Sequence, residues 1–502
     1  MRKHLLANYL GDVWLILIQF AIIPVYVHFL GVEAYGILAF HATLTALAGI
    51  ASLGISPVLT REVSRRTGTP GGDTSIRSFV LSIGSLYLGV CVTFTVLAIS
   101  FLRAQAIDWI NPQNLGSTDL DLVFLLMFIQ IGIQLGIGFA MAVLQGMQKH
   151  VTMNVIGAAG MTLRLAGAAV IVGLFSTRLD VLFAWMITAT AMHFVPMAFA
   201  ASRALPDGPW AFAFRHVMQI WRAAGILTLT IIVSLILVQI DKVIVSRALP
   251  LSEFGVYALA ASVAALASRP IAPLSRTFLP RFTQLVGQGR PDELARLYHL
   301  GSQLASVLII PLAVTLAIFA PTILTVVFGP DSDALDGAPI VALLSIGLAG
   351  LGLMALPYML TLAEGWPQFG FYQNVVACCA VVPAMITLVH WYGAVGCAIA
   401  WVCLGLGFVV ISPFFIHSRC LPGACADWYR YDVVPAVIAS LAVALLLREI
   451  APFSDHRIAN FFILGGIYAA TLAAALASLS SLRSHAWNFL HAFAQGKHQE
   501  ND

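Results

Sequence analysis

Charge is scarce in this sequence. Of its 502 residues only 10% are Asp, Glu, Lys or Arg and 60% are hydrophobic, whereas a soluble domain carries about 25% charged residues. Mean hydropathy is +0.92. These figures exclude an ordinary water-soluble globular protein and describe an integral membrane protein. The net charge of +3 is small and says little by itself; no nucleic-acid partner is expected. Cysteine is sparse and unpatterned. Cys91, Cys378, Cys379, Cys397 and Cys403 lie in apolar runs, and Cys420 and Cys425, with His417 nearby, form no CxxC pair. Zinc sites need closer, paired spacing, so the cysteines read as small packing residues and no metal or cofactor is expected. There is no Walker A loop, so no ATP hydrolysis is expected. Large outer loops carrying acid/base groups are also missing, which argues against a membrane glycosyltransferase or polymerase.

The chain is organised around one repeated element. Leu30 to Arg66 runs from an acidic turn, Gly31-Val32-Glu33-Ala34-Tyr35-Gly36, through an apolar helix to the basic residues Arg61, Arg65 and Arg66. A weaker copy follows about 220 residues later: Leu249-Pro250-Leu251-Ser252-Glu253-Phe254-Gly255 leads into an apolar helix with Arg276 and Arg281 near its end. A second echo pairs Gln145-Gly146-Met147-Gln148 with Glu364-Gly365-Trp366-Pro367, again about 219 apart. Repeats at a fixed spacing imply repeated structural units.

A spanning helix takes about 20 mostly apolar residues. The sequence yields about fourteen such stretches, the first a retained helix after Met-Arg-Lys-His rather than a signal peptide. Gly365 to Ser418 holds no Asp, Glu, Lys or Arg and is too long for one span, so a hairpin is expected with its break at His390-Trp391-Tyr392-Gly393. The expected fold is an all-α polytopic membrane protein. Two parallel six-helix lobes (1–215 and 216–420) surround a central cavity, two helices (421–482) are appended, and a tail (483–502) follows. Trp210, Phe212, Phe214 and Trp221 suggest an interfacial segment in the loop between the lobes.

Lys and Arg set the orientation. Of the 26, eighteen fall in one set of loops (among them Arg2, Lys3, Arg61, Arg65, Arg66, Lys149, Arg281, Arg296 and Arg430), five in the other (Arg103, Arg178, Arg247, Arg448, Arg457) and three inside spans. The positive-inside rule puts the richer set, and both termini, in the cytoplasm.

Ionisable residues inside spans are costly and are functional candidates by default. Arg164, at the middle of the fifth span, needs a cavity or a partner; a cationic site and a structural ion pair are both open. Arg269 and Arg276 are seven apart and share a helix face. Arg276 is near enough to the end to snorkel. Arg269 is deeper, beside Pro270 and Pro273, where freed carbonyls suit a cavity wall. Asp241-Lys242 lies inside the seventh span. Asp241 suits a cation or proton, or a structural pair with Arg164 or Arg247. His28, His41, His193 and His299 could titrate near neutral pH, with His41 the foremost candidate, although a lone histidine is more often a packed polar residue. Asn374, Gln130 and Gln134 are buried amides whose ordinary role is helix-to-helix hydrogen bonding.

Leu30–Gly36 with its following span and Leu59-Thr60-Arg61-Glu62-Val63-Ser64-Arg65-Arg66, together with Asp241-Lys242-Val243-Ile244-Val245-Ser246-Arg247 and Glu253-Phe254-Gly255-Val256-Tyr257-Ala258, resemble the polysaccharide transport family. These are the Wzx-type O-antigen flippases of the multidrug/oligosaccharidyl-lipid/polysaccharide exporter superfamily. The resemblance covers most of the chain. It implies a transporter, not an enzyme, in the bacterial inner membrane. It would carry an undecaprenyl-diphosphate-linked oligosaccharide between leaflets by alternating access. Expected partners are that lipid-linked substrate, membrane lipids, a Na+ or H+ coupling ion and polysaccharide polymerase or assembly proteins. Arg164, Arg269, Arg276 and, more weakly, Lys242 match the cationic residues that would hold the diphosphate, arginine pairing bidentately with phosphate oxygens. By resemblance to the related lipid II flippase, Asp241 and Asn374 are the nearest candidates for a cation site. That cousin's basic enrichment near its first two spans is absent here. A cation-coupled multidrug antiporter is the alternative, but it would want acidic groups in its cavity, and the deep charges here are mostly basic.

Overall fold

The computed structural model describes residues 2–51, 55–67, 73–113, 117–208 and 212–479. Trp210 and the tail from 480 onward lie outside them, as does the side chain of Trp221. The described residues are helical with no strand. Lipid leaves a backbone N–H or C=O no outside partner, so a chain this apolar must close its hydrogen bonds inside each segment.

Twelve of the helices among the described residues are long and apolar enough to cross a membrane. Two of these hold a break. Arg2–Ala51 is interrupted at Gly31 (φ 82°), and Gln368–Cys420 at Gly393 (φ 58°, ψ −144°). Glycine reaches these angles without a Cβ penalty, so each break turns the chain sharply between two helical stretches. The expected hairpin therefore falls at Gly393, and Trp391 and Tyr392 beside it are exposed, as suits aromatics at a membrane interface. The count of fourteen treats each broken helix as two spans.

The chain forms two units, Met1–Gly255 and Val256–Asp502. In the first, helices Ser117–Gly146 and Leu179–Ala204 pack together, and the second half of Arg2–Ala51 joins them. Phe124, Met127, Phe128, Phe183 and Met197 are almost fully covered there. Leu88, Val92 and Val96 are exposed instead and line an apolar cavity together with Gly132, Gly136 and Phe194.

The repeated element explains its own glycines. Both copies have their close contacts within the first unit. A Cβ built on Gly36 would lie 2.9 Å from the backbone oxygen of Leu251, and one on Gly255 would lie 2.2 Å from that of Val32. Each glycine thus sits against the start of the other copy, and only the absence of a side chain lets the two backbones approach so closely. Tyr35 and Phe254, the aromatic members, are buried. Glu33 accepts a hydrogen bond from the Gln113 backbone N–H at 2.8 Å, tying down the loop before Ser117–Gly146.

In the second unit, helix Pro291–Ile318 is the centre. It packs against Ala338–Leu353 and against the two last helices, Val434–Ile450 and Arg457–Ser478. Phe278, Phe282, Tyr298, Leu356, Ile416 and Trp428 form its main apolar cluster. Trp428–Val433 is a π-helical turn leading into Val434–Ile450, and such turns often mark functional sites.

Candidate functional site

Arg164 is carried by helix His150–Val170 and is half-buried. Its Nη1 donates to Gln134 Oε1 at 2.7 Å and its Nη2 to Met161 Sδ at 3.1 Å. Its Nε is buried with no partner. Among the described residues no carboxylate meets it. Among the described residues, then, the guanidinium makes no ion pair of the kind the sequence left open. Its field instead reaches Tyr26, His41 and His193, all neutral or cationic groups. Deep in an apolar helix, a cation whose partners among the described residues are an amide and a thioether is under-compensated. Its insertion costs about 2.5–3.5 kcal/mol, and an anion is the partner that would offset this.

The amides predicted as helix-to-helix linkers build the surroundings. His41 Nε2 donates to Gln130 Oε1 at 2.6 Å. Gln130 Nε2 donates to Thr190 Oγ1 at 3.0 Å, and Thr190 donates to the Met186 carbonyl at 2.6 Å. His41 is 6% exposed and Gln130 fully buried. One polar chain thus joins three helices and fixes the imidazole with its proton on Nε2. His193, named from the sequence behind His41 as a titratable candidate, packs where a Cβ on Gly160 would lie 2.2 Å from its ring. Its Nε2 is buried without a partner. The i, i+4 pair Gly160/Arg164 on one helix face is the sequence signal that would have pointed to this packing.

Asp241 is 2% exposed. Lys242 curls back so that its Nζ reaches Asp241 Oδ1 at 3.3 Å and the Val238 carbonyl at 3.3 Å. Adjacent helix residues do not normally face each other; the long lysine chain makes the contact. The pair largely cancels its own charge.

In the second unit, Arg269 and Arg276 are both exposed. The helix breaks just before them: Ala265–Ser268 is a 3-10 turn, followed by Pro270 and the helix Ile271–Gly287. Asn374 is half-buried in Gln368–Cys420. The sequence offered His299 as a titratable histidine but not the polar cluster it belongs to. Asp432 is fully buried, with Oδ2 accepting from His299 Nδ1 at 2.6 Å and Oδ1 from Gln303 Nε2 at 3.0 Å. His299 and Gln303 at i, i+4 were the available signal.

Helical spans with isolated polar groups in their interior, a broken-helix repeat and one under-compensated cation define a multi-pass membrane protein of transporter architecture. Residues 3–286 match the model of the polysaccharide biosynthesis protein family; this chain belongs to that family. A Shigella flexneri protein named as a candidate O-antigen transporter is 22% identical over 375 residues, spanning 74% of this chain and 87% of that protein. The amylovoran biosynthesis protein AmsL of Erwinia amylovora is 28% identical over 212 residues, 40% of this chain and 53% of that one. Among solved structures, the lipid II flippase MurJ in an inward closed conformation aligns over 94% of this chain and 98% of its own, with TM-score 0.71 and 13% identity. An inward-facing multidrug MATE transporter aligns over 85% and 96%, with TM-score 0.63 and 13% identity. These two likenesses establish the fold.

Proposed function

We propose that this chain is a flippase of the bacterial inner membrane. It moves an undecaprenyl-diphosphate-linked oligosaccharide from the cytoplasmic to the periplasmic leaflet for surface polysaccharide assembly. Arg164 carries the reading: a half-buried arginine whose Nε is buried without a partner, with no carboxylate among the described residues, suits an anionic cargo. The family and the O-antigen transport named for the Shigella relative support the substrate class. Lobes 1–215 and 216–420 rock about a central cavity, with Arg269 and Arg276, and more weakly Lys242, as further diphosphate ligands. His41, Asp241 and Asn374 are the groups proposed for coupling to Na+ or H+. Both termini are cytoplasmic, and polymerase or assembly proteins take the product onward. An organic-cation antiporter fits less well, since a cation next to Arg164 is repelled.

The test is the lipid-linked intermediate in a strain lacking this gene. Undecaprenyl-linked oligosaccharide is extracted and the leaflet holding it determined. A complete repeat unit accumulating on the cytoplasmic face is expected. Normal surface polysaccharide without accumulation, together with new sensitivity to cationic drugs, would move the assignment to the antiporter.

A further inference from the structure

The second unit holds a pocket of about 710 Å³ that the flippase reading does not use. Its floor is His299, Gln303 and Asp432; its rim includes Arg281, Arg296 and Asp427. The floor is built, not incidental. Both oxygens of Asp432, a fully buried carboxylate, are gripped by residues one helical turn apart. Gln303 is 2% exposed and its Oε1 is buried with no partner. The His299 side chain stays 25% exposed, so its ring borders both the buried carboxylate and the pocket.

From this geometry we propose that the pocket is a proton-binding site. His299 Nδ1 is committed to Asp432. The remaining nitrogen, Nε2, takes a proton from a hydronium ion in the pocket, releasing water, and returns it to water. Uptake converts a neutral imidazole beside a buried carboxylate into an imidazolium–carboxylate pair. A lone buried carboxylate is expensive and a paired one much less so, so the proton strengthens the link between Pro291–Ile318 and the segment entering the last two helices. Oxygen-seeking metal cations fit poorly, because both Asp432 oxygens already accept N–H donors and Ca2+- or Mg2+-type sites need several free oxygens. By the positive-inside rule the pocket opens on the cytoplasmic side, where Arg281, Arg296 and Arg430 lie.

The charged and titratable neighbours are few. Helix Ile271–Gly287 offers Arg281, and Pro291–Ile318 offers Glu293 and Arg296. The turn before Val434–Ile450 offers Asp427 and Tyr431, and Asp427 lies within electrostatic reach of both His299 and Asp432. His417 is locked: its Nδ1 donates to the Pro413 carbonyl at 2.8 Å and its Nε2 accepts from Tyr298 Oη at 2.7 Å. It therefore does not compete.

The full chain in liposomes, labelled with 15N-histidine, is titrated by solid-state NMR. His299 is assigned by the signal lost in His299→Gln. In the wild type that signal should pass between neutral and imidazolium forms as the pH is varied. Asp432→Asn, close in shape, should move its midpoint, since the ring then meets a neutral amide in place of a carboxylate. Gln303→Leu, which keeps the pair, should leave a titrating His299 and guards against misfolding of Asp432→Asn. A His299 signal fixed in one form throughout would overturn the proposal and leave a structural fastening. So would an unchanged midpoint in Asp432→Asn, or a signal that follows added sodium at constant pH. No transported substrate is used, so this result and that of the export experiment stand or fall separately.

Discussion

A guanidinium at mid-membrane gains nothing from its place unless something negative visits it. Arg164→Ala should therefore insert at least as well as wild type, relieved of about 2.5–3.5 kcal/mol, yet lose export. Hydrogen bonds to charged groups contribute about 1.5–3 kcal/mol, so restoration of surface polysaccharide in a flippase-deleted strain should fall at least about tenfold. Arg164→Lys should rescue in part, since a point charge lacks the planar fork. Normal export from Arg164→Ala at equal protein level would refute the cationic site. Gln134→Leu removes the one oxygen that Arg164 Nη1 donates to. It should lower thermal stability in detergent, while Gln134→Leu combined with Arg164→Leu should recover most of the loss, because no buried donor then remains unpaired. Arg164 was legible in sequence because a single charge stands alone in a long apolar run. Asp432 was not. It follows Trp428, Tyr429, Arg430 and Tyr431, a composition that reads as membrane edge, and only the fold brings His299 and Gln303 to it from more than 120 residues away.

At the scale of elements, the helical glycines of the repeat and the helix ends carry the argument. The repeat was visible as Glu-aromatic-Gly, but the reason for its glycines was not, because a pattern along the chain does not say which backbones touch. Gly255 faces a backbone carbonyl at 2.2 Å, whereas half of the crowding at Gly36 comes from the movable Leu251 side chain. Gly255→Ala should thus be the worse substitution. Overpacking typically costs about 1–3 kcal/mol, and Gly255→Ala should sit at or above the upper end, with Gly36→Ala below it; melting temperatures of the purified variants would rank them. Helix Ile55–Thr67 offers a pH test outside the spans. Glu62 accepts from Arg65 at 2.7 Å and from Arg66 at 3.0 Å, and hydrogen bonding to Arg65 foremost holds its carboxyl below the usual carboxylate range. A depressed carboxyl stabilises the fold above its unfolded pKa of about 4.3 and loses that effect as pH falls through its lower folded value. Wild type should therefore melt above Glu62→Gln at neutral pH, with the gap closing in acid. A gap that persists undiminished in strong acid would mean the carboxylate charge is not its source.

Across the whole molecule, the fold class followed from scarcity of charge and length of apolar runs, because a bilayer permits few alternatives to a helix bundle. Orientation rests on a different physics, the bias of Lys and Arg between loops, and it decides the direction of transport. If the eighteen-to-five split sets the topology, alkaline phosphatase fused within 451–456 should be active, being exported. The same enzyme fused after Arg290 should be inactive, and a fluorescent protein at the C-terminus should glow. Of the five that oppose the bias, Arg178 is paired with Asp180 and Arg457 is spent on the Val326 and Val327 carbonyls at the end of helix Ala320–Phe328. Neutralising these two should therefore leave the fusion pattern unchanged. Inverted fusion activities would place the His299–Asp432 pocket on the periplasmic side. They would also require the cargo to enter from the opposite leaflet, a direction incompatible with a substrate assembled in the cytoplasm.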